Sequence, residues 1–245
     1  MLKTSTERLS SGKRINSSKD DSAGAGIAKR FMGNVQGIRQ GVRNAQDGAA
    51  MADAGEAVLE QMAQMTLRIR ELGVQAQNGT YSSVDITNID NEVQALKTGI
   101  QGLATNAKYN GQSLMGATAF SSVIQYSDEA GGALTVSNSQ NFTAVTISTV
   151  TSTNGATTVS EADTLLTNIA SARSSFSKQS TTLGYVASAQ SALAEAVDSA
   201  RSRIEDTDYA AETAAMTRNQ ILQQAATAAL AQANAMPNTI LSLIK

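Results

Sequence analysis

The chain has 245 residues, a formal net charge of −2, no His, no Cys, no Trp, one proline (Pro237) and 4% aromatic residues. That composition excludes zinc sites built on His or Cys, thiol catalysis, disulfides and any Ser-His-Asp or Cys-His pair, because the residue types they need are missing. Ser, Thr, Asn, Gln and Ala fill 125 positions, no apolar run approaches the roughly 18 residues of a membrane span, and the N-terminus has no charged-then-apolar signal peptide.

The charge is unevenly placed. Residues 1–45 hold nine Lys or Arg and three acids, a balance of +6, so the remainder carries −8. A basic segment of this kind meets nucleic acid, an acidic ligand or an acidic surface on another copy. Phe31 is the only aromatic before Tyr81, which argues against single-strand nucleic-acid binding, where aromatic platforms are needed. Charge complementarity between subunits is the preferred reading.

Residues 1–26 read as a connecting segment. Apolar positions then recur at helical spacing: Val35, Ile38, Val42, Ala45, Ala49 and Ala52, then, after a slip near Gly55, Val58, Met62, Met65, Ile69, Leu72 and Ala76. With Ile27 and Phe31 as a lead-in, residues 27–78 form one predicted helix, about 78 Å long at 1.5 Å per residue. Gly33, Gly37, Gly41 and Gly48 each cost a helix about 1 kcal/mol relative to Ala, so their cluster points to close packing or to a part that needs packing to form. Asn78-Gly79 breaks the run. Ser82 with Asp85 reads as a capped start for a second helix over 83–106, along Ile86, Ile89, Val93, Leu96, Ile100 and Leu103. Asn110-Gly111 closes this part, and residues 27–115 form two antiparallel helices.

Between residues 116 and 160 the character changes. Seventeen of these 45 residues are Ser or Thr, and the β-rich runs Phe120–Tyr126, Leu134–Val136 and Val145–Val150 predict a β-hairpin with a polar insertion. Helical period returns from Glu161. Ile169, Phe176, Leu183, Gln190, Val197 and Ile204 form a heptad series accompanied by Ala172, Gln179, Val186, Leu193 and Ala200. The third long helix is expected over 162–210, with Gln179 and Gln190 as polar interruptions that set register. Residues 211–245 form a last amphipathic helix with two charges from 213 onward, Arg218 and Lys245. Its apolar positions include Ile221, Leu222, Leu230, Ile240, Leu241, Leu243 and Ile244. A stripe so poor in charge is built to be covered. The expected fold class is mainly α: a long antiparallel coiled-coil-like helical rod with a small β-hairpin insertion.

Four ordered blocks carry a resemblance. The first is Glu7-Arg8-Leu9-Ser10-Ser11-Gly12-Lys13-Arg14-Ile15-Asn16 with Lys19-Asp20-Asp21 and Ala23-Gly24. The second is Arg70-Glu71-Leu72 with Val74-Gln75 and Asn78, and the third is Tyr109-Asn110-Gly111. The fourth is Ala200-Arg201-Ser202-Arg203-Ile204-Glu205-Asp206-Thr207-Asp208-Tyr209-Ala210, leading into Gln220–Ala225, Leu230–Asn234 and Leu241-Ser242-Leu243. Together they resemble bacterial flagellin over about three quarters of the chain.

The resemblance implies a structural, non-enzymatic subunit of the flagellar filament, without cofactor or metal. It implies export without a cleavable signal peptide and self-assembly outside the cell through N- and C-terminal helices. Its implied partners are other copies, a filament cap, hook-junction proteins and an export chaperone that covers the C-terminal helix. The assembly residues it assigns are Arg8, Leu9, Arg14, Ile15, Ile221, Leu222, Leu230, Ile240, Leu241, Leu243 and Ile244. Family members carry a further segment before the first block, so Met1 reads as the start of an N-terminally shortened chain. Arg68 and Leu72 match positions through which the vertebrate Toll-like flagellin receptor recognises the family, while the acidic residue expected on the second helix aligns with Gly99. The zinc-binding His motif of proteolytic members has no counterpart in a chain without His. Two acidic groups, Glu205, Asp206 and Asp208, and Asp85, Asp90 and Glu92, are read as solvated helix faces. The rival from another class is a cell-surface protein that holds anionic polysaccharide through the basic residues 3–43.

Overall fold

The structure, a computed structural model, describes residues 2–116, 118–127 and 131–243, with side chains as far as residue 233. Its helices are α1 (Leu2–Ser11), α2 (Ser22–Ala76), α3 (Ser83–Asn106), α4 (Gly155–Glu205) and α5 (Tyr209–Leu243). Its strands are β1 (Lys108–Tyr109), β2 (Gln112–Ser113), β3 (Phe120–Gln125) and β4 (Ala133–Asn138), paired antiparallel as β1–β2 and β3–β4. The fold class is mainly α, with small antiparallel hairpins, as the periodicity predicts. None of the described helices is long and apolar enough to cross a membrane. The chain divides into two compact units, one of residues up to Gln36 together with those from Leu193 onward, the other of Gly37–Ala192.

In the second unit, α2 packs on α4 through a seam with no slip. From Gly41 the positions Ala45, Gly48, Ala52, Gly55, Leu59, Met62, Thr66, Ile69, Gly73 and Ala76 follow in strict steps of four and three, and all are buried. The interruption read near Gly55 arose because glycine itself occupies a core position there. A Cβ on Gly48 would lie 3.1 Å from Leu183 Cδ1, one on Gly55 2.9 Å from Phe176 Cε2, and one on Gly73 3.0 Å from Val159 Cγ2. Partner numbers on α4 fall as those on α2 rise, so the two helices run antiparallel. Small residues on α2 admit the large ones of α4, which compensates the helix-propensity cost of glycine with packing. Against α3 the same helix turns another face, where Gly99 receives Met65.

Local chemistry sets the ends. α2 starts five residues before the apolar lead-in because Asp21 caps it, its Oδ1 accepting the Gly24 amide at 2.9 Å. α3 spans the predicted residues and opens with a capping box between Ser82 and Asp85. α4 begins at Gly155, a turn or two earlier than predicted, since the Asn154 carbonyl already accepts the amides of Thr157 and Thr158 at 2.9 and 3.2 Å. It stops at Glu205, short of the expected 210.

Two readings of the middle region change. Asn110 and Gly111, read as a simple stop after α3, have φ of 48° and 81° and make the two-residue turn of the β1–β2 hairpin. Val145–Val150, read as β-rich, is not a strand. Its buried side chains Val145, Ile147 and Val150 face the core, while helix side chains take the backbone groups a strand partner would use. Lys97 Nζ donates to the Ile147 carbonyl at 2.9 Å, and Asp90 and Glu161 accept the amides of Val150 and Ser148, each at 2.7 Å. Elsewhere Gln179, a predicted polar interruption, holds β4: its Oε1 accepts the Ser137 amide and its Nε2 donates to the Ser137 carbonyl, both at 3.0 Å.

Glycines of α2 therefore differ in what they permit. A Cβ on Gly41 would run into the backbone carbonyl of Tyr126, just past β3, whereas one on Gly33 meets nothing within 4 Å. Gly41→Ala is expected to lower stability by about 1–3 kcal/mol through overpacking. Gly33→Ala should raise it by about 0.5–1 kcal/mol through helix propensity. Urea unfolding of the two variants checks both; the same gain from each would show that the hairpin does not rest on Gly41.

Candidate assembly surface

The first unit joins the two ends of the chain. α1 ends at Gly12, whose φ of 71° and amide bond to the Arg8 carbonyl (2.9 Å) form a left-handed cap. Tyr209 fixes that corner, its hydroxyl donating to the Leu9 carbonyl at 3.3 Å. The chain then runs beside the end of α4. Arg14 N–H donates to the Glu205 carbonyl at 2.7 Å and Thr207 N–H to the Gly12 carbonyl at 3.0 Å. These backbone bonds are why α4 leaves its helical path after Glu205. Asp208 restarts the helix as α5, its Oδ1 accepting the Ala210 amide at 2.9 Å.

Charge reinforces the junction. Lys13 Nζ sits 2.5 Å from Glu205 Oε1, Arg8 Nη1 3.5 Å from Glu212 Oε2, and Arg14 Nη2 donates to the Ile204 carbonyl at 2.6 Å. The ion pairs are part-exposed, so each contributes about 0–1 kcal/mol, and the backbone bonds hold the register. Three cations of the basic segment thus find acceptors in their own chain, where complementarity with another copy, or an anionic polysaccharide, was the sequence reading. Below them Ile15 is 7% exposed. Its Cδ1 would lie 2.7 Å from a Cβ on Gly24, so glycine there lets Ile15 pack.

The structure thus brings Arg8, Leu9, Arg14 and Ile15 to residues 204–212 of the same chain. Tyr209, Gly12 and Thr207, which complete the junction, stood in the family blocks without a site role; a glycine directly after an amphipathic ten-residue stretch was the available signal for α1 and its cap. On α5 the residues Ile221, Leu222 and Leu230 are 59, 58 and 63% exposed. Ile240, Leu241 and Leu243 continue that helix, with side chains outside the described residues, and Ile244 lies outside them altogether.

The acidic groups all have structural partners. Glu205 pairs with Lys13, Asp206 accepts from Ser202, Asp208 caps α5, Asp85 caps α3, and Asp90 accepts the Val150 amide. Glu92 lies 2.9 Å from Arg68 Nε. Glu92 is the carboxylate that α3 sets beside Arg68, because residues about equally far from the 77–82 connection face each other across α2 and α3. Two bonds, from Glu92 first and from Glu71, raise the Arg68 pKa further. Leu72 is 1% exposed, so of the two receptor-matching positions only Arg68 presents a surface.

A helical chain whose ends are bound together and whose C-terminal helix keeps large aliphatic side chains in solvent is a subunit built for assembly. The comparisons agree. The bacterial flagellin N-terminal helical region matches residues 1–119, and the bacterial flagellin C-terminal helical region matches residues 159–244. A flagellin of Xenorhabdus nematophila is 34% identical over 100% of this chain and 93% of its own length. Flagellin FlaB1 of Treponema pallidum is 30% identical over 98% of this chain and 91% of its own. The crystal structure of Bacillus cereus flagellin has a TM-score of 0.56 at 28% identity, covering 60% of this chain and 88% of that one. The chain belongs to the bacterial flagellin family and is a structural subunit of the flagellar filament, an extracellular polymer of its own copies.

Two carboxylates record the local geometry in their acidity. Asp20 is held below 3.8 first by the Ser17 amide, with the Asn16 amide and Ser17 hydroxyl adding to it, and Asp85 first by the Ser82 hydroxyl and then its amide. A folded-state pKa below the unfolded one stabilises above the unfolded value, and that contribution is lost as pH falls through the folded value. Acidification below pH 3.8 should therefore fray the start of α3 and loosen the turn before α2. Carboxyl titration by NMR should place both midpoints below 3.8, and Ser82→Ala should return the Asp85 midpoint toward that value while leaving Asp20 unchanged.

Proposed function

We propose that polymerisation runs through α5, where Ile221, Leu222 and Leu230 are exposed, together with Ile240, Leu241, Leu243 and Ile244 further along the sequence. The observation that carries this reading is the exposure of three large aliphatic side chains along one helix. Burying each is worth roughly 1.5–3 kcal/mol, so pairing α5 with the terminal helices of neighbouring copies has a large apolar driving force. Arg8, Leu9, Arg14 and Ile15 serve assembly indirectly, by holding α1 and the start of α5 at one angle.

In this reading residues 1–26 connect filament core and rod, 27–115 and 161–210 form the rod layer, 116–160 the short variable insertion, and 211–245 the inner-core helix. The subunit is exported without a cleavable signal and acts in motility as a polymer, with no catalytic step. A chaperone covers α5 before export, and cap and hook-junction proteins meet the filament ends. Recognition by the Toll-like flagellin receptor, where it occurs, uses Arg68 with Glu92 beside it, since Leu72 supports the core.

Leu222→Asp and Leu230→Asp should abolish filaments by electron microscopy and leave the far-ultraviolet circular dichroism of the subunit unchanged. Filaments of normal length from both variants would remove α5 from the assembly surface.

A further inference from the structure

Three Asn-Gly pairs occur in the chain, Asn78-Gly79, Asn110-Gly111 and Asn154-Gly155, and the fold treats them differently. At Asn154 both amide atoms are held: Oδ1 accepts the Thr151 amide and Nδ2 donates to the Thr149 carbonyl, each at 2.6 Å. Gly155 is already the first residue of α4, packed where a Cβ would lie 2.7 Å from the Gly73 carbonyl. At Asn110 the backbone is fixed by the positive-φ turn of the β1–β2 hairpin, anchored by the buried Leu114 and Met115.

Asn78 has neither the positive-φ turn nor a doubly held side-chain amide: its backbone amide donates to the Gln75 carbonyl at 3.1 Å and its carbonyl accepts the Tyr81 amide at 3.4 Å, but among the described residues its Nδ2 makes no hydrogen bond. It lies in the exposed connection between α2 and α3, and a Cβ on Gly79 would meet nothing within 4 Å. Among the described residues its side-chain bond is an Asx turn, Oδ1 accepting the Thr80 amide at 3.3 Å, which folds the side-chain carbonyl back over the following backbone. Among the described residues the Gly79 amide donates to no backbone carbonyl of the turn.

We propose that Asn78-Gly79 is a site of spontaneous deamidation, selected by the fold from three pairs of the same sequence. The Gly79 amide nitrogen, having lost its proton to hydroxide, attacks Asn78 Cγ. The new C–N bond closes a succinimide as the Cγ–Nδ2 bond breaks and ammonia leaves with a proton. Water then opens the ring at either carbonyl, giving aspartate or isoaspartate. Each product sets a new negative charge just past the C-terminus of α2, the unfavourable end of the helix dipole. Isoaspartate also adds a methylene to the backbone of the turn that joins α2 to α3, next to the Gln75–Tyr81 hydrogen bond of 3.0 Å. The modification therefore marks the age of a subunit at one turn and loosens that turn.

The test is peptide mapping by mass spectrometry of the full chain held at mildly alkaline pH. Asn78 should convert on the order of tenfold faster than Asn154 in the folded chain, because local restraint decides the rate. In urea the three rates should converge, and Gly79→Ala, which has room for its Cβ, should slow conversion at residue 78 alone. Equal rates at Asn78 and Asn154 in the folded chain, or the same ordering kept in urea, overturns the proposal. So does an unchanged rate in Gly79→Ala.

Discussion

The close approach of α2 and α4 is the constraint on which the second unit depends. Gly48, Gly55 and Gly73 sit where Leu183, Phe176 and Val159 need volume, and Ala45 and Ala52 on the same seam are completely buried. A chain with 4% aromatics has few large side chains with which to fill a wide core. Bringing the helix backbones together reaches interior packing density with the few it has, Phe176 and Phe142 among them. The same narrowness seats the β3–β4 hairpin, with Tyr126 against Gly41 and β4 gripped by Gln179.

The first unit follows another logic. It is joined by backbone hydrogen bonds and part-exposed ion pairs around residues 12–15 and 204–207, with Ile15 and Ala28 as small apolar contributions. Such a junction fixes direction without enclosing α5. An open aliphatic helix beside a polar junction is costly for an isolated molecule and suits one that completes its core in a polymer. That polymer is the filament to which the family assigns the chain.

Acidic residues illustrate how a structural protein uses charge. Asp21, Asp85 and Asp208 cap helices, Asp90 and Glu161 take the backbone amides of an extended segment, and Glu92, Glu205 and Glu212 answer Arg and Lys. Each task needs a carboxylate at a helix end or edge, where solvent keeps it charged at little cost. Clusters that look like paired acids in sequence are separate caps and pairs in space.

Sequence periodicity and local start signals determined the helical class and the extent and Ser82 cap of α3, because each depends on residues within a few turns of one another. The family blocks were equally legible, since they are strings of adjacent residues. What these signals did not determine depends on partners far along the chain. Gly55 reads as a slip because only Phe176, far along the chain, fills its place, and Val145–Val150 reads as β-rich although Lys97, Asp90 and Glu161 take its hydrogen bonds. Leu72 belonged both to the apolar series and to the receptor match, and the fold buries it, while Arg68 stays at the surface beside Glu92. α4 stopped at Glu205 because Arg14 and Gly12, some 190 residues away, bonded its last carbonyl and the Thr207 amide two residues beyond it. Local propensity specifies an element; only the tertiary fold specifies which face is buried and where a helix must give up its own hydrogen bonds.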